Sequence, residues 1–198
     1  GFTATRVLAG EAVLPPRGTP PSATSPSAQG GNLRMAETAD DAKHTAAPRG
    51  GRFTVLAPVG EGWQRFHSER TDVANSLVVS YVSPDGRTEI AVQRYGRYFG
   101  SGRDLDDYVA ALPTVVGAGN QVQLESRTDT GDGLRLVYTT TLNPVVGVVG
   151  QPEQRSTAAQ LVQRGDDLWV VRVTGPVDHA RTNMRLLVQV APSLDTSS

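Results

Sequence analysis

The chain contains no cysteine. That absence excludes disulfides, zinc–thiolate sites, iron–sulfur clusters and thiol nucleophiles, and it fits either redox compartment. Lysine is almost missing too: of 19 basic residues only Lys43 is a lysine, and the rest are arginines. A GC-rich genome, as in the actinobacteria, produces this bias through codon usage alone. Charge of one sign is also lacking. A net charge of −1 over 198 residues gives no overall field toward nucleic acid or an acidic membrane, so no nucleic-acid partner is expected. No apolar run approaches the roughly 18 residues that span a bilayer. The chain starts at Gly1 rather than Met, so removal of a start or signal segment is the expectation.

The composition of what remains, 38% hydrophobic and 20% charged, is that of a globular fold. It changes sharply near residue 50. "EAVLPPRGTPPSATSPSAQGGN" is rich in Pro, Ser, Thr, Ala and Gly and has no apolar period. Such a stretch buries too little surface to offset its ordering entropy. Residues 1–50 therefore read as a Pro/Ala/Ser-rich flexible arm or linker, with a short helix over Leu33–Lys43, and residues 51–198 as the folded domain.

Within that domain, "RFTVLAP" reads as a first strand ended by Pro58. "NSLVVSYVS" and "RTEIAVQRY" flank "PDG", a turn signal, and form a hairpin. Period 2 in the second strand puts Thr88, Ile90 and Val92 on one face and Arg87, Glu89 and Gln93 on a wet one. "DLDDYVAAL" switches to helical spacing, with Leu105, Tyr108, Val109 and Leu112 on one stripe. Asp104 is placed as its N-cap and Asp107 as the capping-box acid. Four more strands follow in "QVQLESRT", "LRLVYTTTL", "STAAQLVQR" and "LWVVRVTG". A final helix opens near Pro176 and buries Ala180, Met184, Leu187, Val188 and Ala191. Hairpin-linked strands with segregated helices make an α+β fold: an antiparallel sheet of six to seven strands with two packing helices.

Pro58, Gly62 and Trp63 in "RFTVLAPVGEGWQRF" form a "P-x-GW" turn, and Val79, Tyr81, Pro84 and Gly86 form "V-x-Y-x-x-P-x-G". With this element order, residues 52–191 resemble the PsbP-like (Mog/PsbP-type) domains that actinobacterial exported proteins carry after Pro/Ala-rich stretches. LpqN-type lipoproteins, alanine- and proline-rich secreted antigens and extracellular parts of Ser/Thr kinases are examples. "PVGEGW" is longer than the turn usual there. The resemblance implies a PsbP-like fold and an extracytoplasmic domain, secreted or anchored to the cell envelope. It implies a non-catalytic binding or interaction module, accessory or sensory, tethered by the Pro-rich arm to a membrane anchor N-terminal to residue 1. It carries over no site residues. The alternative is a small-ligand carrier or an enzyme with a pocket in the curved sheet, favoured if polar groups with perturbed pKa values line a cavity.

The residues themselves offer little chemistry. There is no G-x-S-x-G elbow. His44, His67 and His179 are dispersed, and His67, Glu69 and Asp72 read as a polar surface loop, so neither metal nor cofactor is expected. "DTGDG" lacks the remaining ligands of a calcium loop. Asp106/Asp107 suit a helix N-terminus and Asp166/Asp167 a turn. Trp169 is placed in the core and Trp63 beneath the first turn.

Two stretches stand apart. In "QRYGRYFGSGRD", Gly100 and Gly102 precede a helix N-terminus. There Arg94, Arg97 and Arg103, with Tyr98 and Phe99, form a candidate ligand or anion site. In "LNPVVGVVGQPEQ" (142–154), Val145, Val146, Val148 and Val149 form a candidate surface for a protein partner or self-association.

Overall fold

Period-2 stretches separated by Gly- and Asp-bearing turns fold here as successive hairpins. The computed structural model describes residues 35–40, 53–58, 60, 62–70, 76–117, 119–142 and 153–196, all within one unit, Met35–Ser198. Strands β1 (Met35–Asp40) and β2 (Phe53–Pro58) pair antiparallel as a small sheet of their own. The strands β3 (Gln64–Arg70), β4 (Ser76–Val82), β5 (Glu89–Tyr95), β6 (Gln121–Thr130), β7 (Gly133–Leu142), β8 (Glu153–Arg164) and β9 (Asp167–Pro176) form the main sheet. Its order among the described residues is β3-β4-β5-β9-β8-β7-β6, every neighbouring pair antiparallel. The last strand in the chain thus sits at the centre.

Turn chemistry sets the β4–β5 register. Gly86 takes φ 73°, open to glycine at little cost. Its N–H donates to Ser83 O at 2.8 Å, and the Ser83 hydroxyl donates to Asp85 Oδ1 at 2.6 Å. The helices are α1 (Leu105–Ala110) and α2 (Leu112–Val115) after β5, and α3 (Ala180–Val190) after β9. No helix among the described residues is long and apolar enough to cross a membrane. The architecture is α+β as expected.

Four expectations change. The segment read as a helix, Leu33–Lys43, holds a strand at Met35–Asp40, because the edge of β2 offers backbone partners that its few apolar residues cannot supply as a helix. The polar stretch around His67 is strand β3 rather than a loop, since the edge of β4 pairs its backbone whatever its side chains. Of the wet face read on β5, Arg87 is exposed and Glu89 half-buried, but Gln93 is buried, because the segments that follow the strand partly roof this side. Finally, α3 buries Asn183, Leu186, Leu187 and Val190, while Val188 is exposed and Ala180, Met184 and Ala191 are only half-buried. The rotation has a polar cause. Asn183 Nδ2 donates to Ser156 O at 3.2 Å in a notch left by Gly175, where a Cβ would come within 3.0 Å of Asn183 Oδ1.

Register assigns the two faces of the sheet. One holds Leu77, Val79, Ile90, Val92, Trp169, Val171 and Val173, all buried. It packs against α3 and β2, with Phe53 edge-on to Trp169 at 5.6 Å. The other face has two characters. Over β7, β8 and β9 it is apolar, and Leu134, Leu136, Leu161, Leu168 and Val170 pack beneath Tyr108 and Leu112 of α1 and α2. Toward β5 and β4 it turns polar, with Arg172, Gln93, Ser76 and Ser80 on the same side. Seven strands about 4.8 Å apart span roughly 29 Å. The short α1 and α2, at about 1.5 Å per residue, reach only about 15 Å. The helices cover the apolar part and leave a hollow over the polar part.

Candidate functional site

The wall of that hollow is built by the segment between β5 and α1. Asp104 Oδ1 accepts from the Asp107 N–H at 2.9 Å, and Asp107 Oδ2 accepts from the Asp104 N–H at 2.8 Å. This is the capping box read from the sequence, and it fixes where α1 starts. The Tyr98 hydroxyl donates to Asp104 O at 3.0 Å, and the Arg103 guanidinium lies 5.2 Å from the Tyr98 ring centre. Upstream, the chain is stitched to the β8–β9 turn. Arg94 Nε donates to Asp167 Oδ2 at 2.9 Å, the Arg97 N–H to Asp167 Oδ1 at 2.8 Å, and the Phe99 N–H to Asp166 O at 2.9 Å.

The candidate residues of this stretch therefore do not converge on one point. Arg94 pairs with Asp167, level with Trp169 on the α3 side of the sheet. Arg97 and Gly102 are exposed, and Phe99 packs at the margin of the core. A Cβ on Gly100 would lie 3.4 Å from the Asp166 carboxylate. Only Tyr98 and Arg103 line the hollow. Val145, Val146, Val148 and Val149 lie outside the described residues, as do His44 and Asp72. Asp106 is paired with Arg127. Among the described residues no group of three His, Cys, Asp or Glu side chains is placed to hold a metal.

The hollow has a volume of about 590 Å3 between β4, β5 and β9 below and α1 and α2 above. A second, of about 240 Å3, continues toward β7 and β8, and Val115 and Arg172 line both. The larger is within the range of small-molecule sites, roughly 300–1,000 Å3. Its floor is Val78, Gln93, Tyr95 and Arg172; Tyr108, Ala111 and Val115 close it from the helices.

Two polar atoms in this lining are fully enclosed and make no hydrogen bond within the described protein: Gln93 Oε1 and Tyr108 Oη. Arg172 and Tyr95 approach the Tyr108 hydroxyl closely enough to act on it as hydrogen-bonding neighbours, but neither meets full hydrogen-bond geometry with it, so these contacts are long or poorly aligned. Buried polar atoms are nearly always paired, so two in one cavity need a reason. Burial pushes the phenols of Tyr95, Tyr108 and Tyr138 above the ordinary tyrosine value, so all three stay neutral donors. Burial opposes the charge of Arg172, but the oxygens of Tyr108, Tyr138, Tyr95 and Glu89 outweigh it and hold its pKa above the usual arginine value. Arg172 is half-buried and lines both hollows.

The sequence reading missed Gln93, Tyr108 and Arg172 as site residues. A signal was there: Arg172 interrupts a run of valines in "LWVVRVTG" on a strand read as core, where an arginine needs explaining.

No protein-family model matches the chain, and no curated protein matches it. Solved structures do. The solution structure of cyanobacterial PsbP (CyanoP) from Synechocystis aligns with a TM-score of 0.50 at 14% identity, over 84% of this chain and 95% of that one. The Saccharomyces cerevisiae Ran-binding protein Mog1p gives 0.48 at 12% identity, over 82% and 96%. LpqN, involved in cell envelope biogenesis of Mycobacterium tuberculosis, gives 0.42 at 12%, over 83% and 92%. The chain has a PsbP-like fold, as its sequence led us to expect.

Proposed function

We propose that the protein is a non-catalytic binding domain whose binding site is the cavity between the main sheet and α1–α2. The observation that carries this reading is that Gln93 and Tyr108, each with an enclosed polar atom lacking a hydrogen bond (Oε1 and Oη), line one hollow of about 590 Å3. An unpaired polar atom in a closed interior is destabilising, and a bound ligand supplies the missing partner. An extracytoplasmic setting, on a Pro-rich arm anchored ahead of residue 1, is part of the proposal. It rests on the composition of residues 1–50 and on the sequence resemblance.

A protein partner on the valine segment is the second reading, and its support is the apolar sequence "NPVVGVVGQP" itself. The two readings are separable. An NMR screen of the 15N-labelled chain against small aromatic and aliphatic fragments should shift Gln93, Tyr108, Ala111 and Arg172 together. Shifts scattered over the surface, or none, would remove the cavity as the site. Loss of association in a Val146→Ser, Val148→Ser double variant would then favour the protein partner.

A further inference from the structure

The nature of the ligand follows from Arg172, given the reading of the cavity as a binding site on which this step rests. Arg172 lies on the central strand β9, between Val171 and Val173, which are both 0% exposed. Among the described residues no carboxylate is within ion-pair distance of its guanidinium. Arg172 is half-buried, and a cation drawn partly out of water is costly unless a counter-ion or hydrogen bonds compensate it.

The other charges of the two hollows are already engaged or face them as acids. Arg103 lies over the Tyr98 ring. Arg155 has its Nε 3.7 Å from Glu153 and donates to Arg87 O at 2.8 Å. Glu89 and Asp107 are the acidic members of the lining. The two linings carry three arginines and two carboxylates, and Arg155 has Glu153 outside them, so the charges balance overall. Arg172 is the cation left with neither a carboxylate at ion-pair distance nor a ring beneath it among the described residues.

We propose that the cavity binds a small monocarboxylate carried on an apolar or aromatic body, with Arg172 holding the carboxylate. The planar guanidinium matches a carboxylate with two parallel N–H donors. With a small turn of their side chains toward the hollow, the neutral Tyr108 hydroxyl donates to the same group and Gln93 Oε1 accepts from an N–H or O–H of the ligand. Val78, Ala111, Val115 and the Tyr95 and Tyr98 rings receive the body. A dianion such as a phosphate monoester fits less well, because Arg172 alone cannot neutralise two charges beside Glu89 and Asp107.

The full chain, 15N-labelled, is titrated with benzoate, hexanoate and indole-3-acetate and with the neutral amide of each, and affinities are read from the shifts of cavity residues. The acids should bind at least tenfold more tightly than their amides. In Arg172→Met the acids should fall to the level of the amides, whose own affinity stays unchanged. The acid–amide comparison on the unaltered protein decides the matter even if that variant does not fold. Equal affinity for acid and amide overturns the carboxylate assignment while leaving the cavity as a binding site. No binding of either series overturns both. Phenyl phosphate binding more tightly than every acid overturns the monocarboxylate class. A tripeptide ending in Phe that outcompetes the small acids only with its carboxyl free overturns the small-molecule source.

Discussion

Replacing Tyr108 by Phe deletes one oxygen and leaves the rest of the cavity wall in place. The ring is 2% exposed and stands edge-on to Tyr95, with centroids 6.0 Å apart and planes at 71°, contacts that Phe keeps. Its hydroxyl is enclosed and has no partner in full hydrogen-bond geometry, and a wholly unpaired hydroxyl costs roughly 1–3 kcal/mol relative to a hydrated one. Part is recovered through the field of Arg172 and through long contacts with Arg172 and Tyr95. Tyr108→Phe should therefore stabilise the ligand-free protein by about 1 kcal/mol, or roughly 2–4 °C in melting temperature for a domain of this size.

Tyr98→Phe is the control. That residue is similarly buried, at 4% exposure, but its hydroxyl donates to Asp104 O at 3.0 Å, so deleting it should cost about 0.5–1.5 kcal/mol. The same chemical change at two neighbouring tyrosines should move stability in opposite directions. Thermal melting and urea titration measure both. A Tyr108→Phe variant less stable than the parent by 1 kcal/mol or more would mean that its hydroxyl is satisfied, and the polar-cavity argument would fail with it.

Gly133→Ala should be severe, because a Cβ there would lie 1.8 Å from Leu161 O and 2.8 Å from its carbonyl carbon. Backbone on both strands of the β7–β8 pair has to part, costing about 3 kcal/mol by overpacking; Gly131→Ala, with nothing within 4 Å, should melt with the parent. We further propose that folding begins at Met35. A chain starting there should melt with the full one, whereas a chain starting at Gly51 loses β1, exposes the edge of β2, and should melt several degrees lower.

Hairpins and the capped helix α1 were legible because each rests on local chemistry. "PDG" turns through Gly86, and Asp104 and Asp107 cap one another across three residues. What escaped were elements whose reason is not local. Strand β3 has a polar sequence with no alternation to read, and it is a strand because β4 presents an unpaired edge. The stripe of α3 was misplaced because Asn183 counts as polar in any scale of hydrophobicity. In the fold that residue is 1% exposed, accommodated by Gly175 and bonded to Ser156 on a different strand.

The binding cavity escaped for a related reason, and the reason bears on what it is for. Gln93, Tyr95, Tyr108 and Arg172 are not contiguous in sequence; Gln93 alone reads as a wet strand face and Tyr108 as a helix stripe, and Arg172 is an isolated cation among valines. Register brings Gln93 and Arg172 onto the same side of adjacent strands, with Gln93 opposite Val170 and Arg172 opposite Ala91. The short α1 then ends its cover with Tyr108 above them. A sheet face that only had to pack would continue the leucines and valines of β7 to β9 across to β4. This one instead places an arginine and an amide where apolar side chains would give a more stable core. Such a departure from core chemistry persists where another property depends on it. The pairing of a stabilising Tyr108→Phe with a weaker grip on carboxylate probes is the outcome that this reasoning requires.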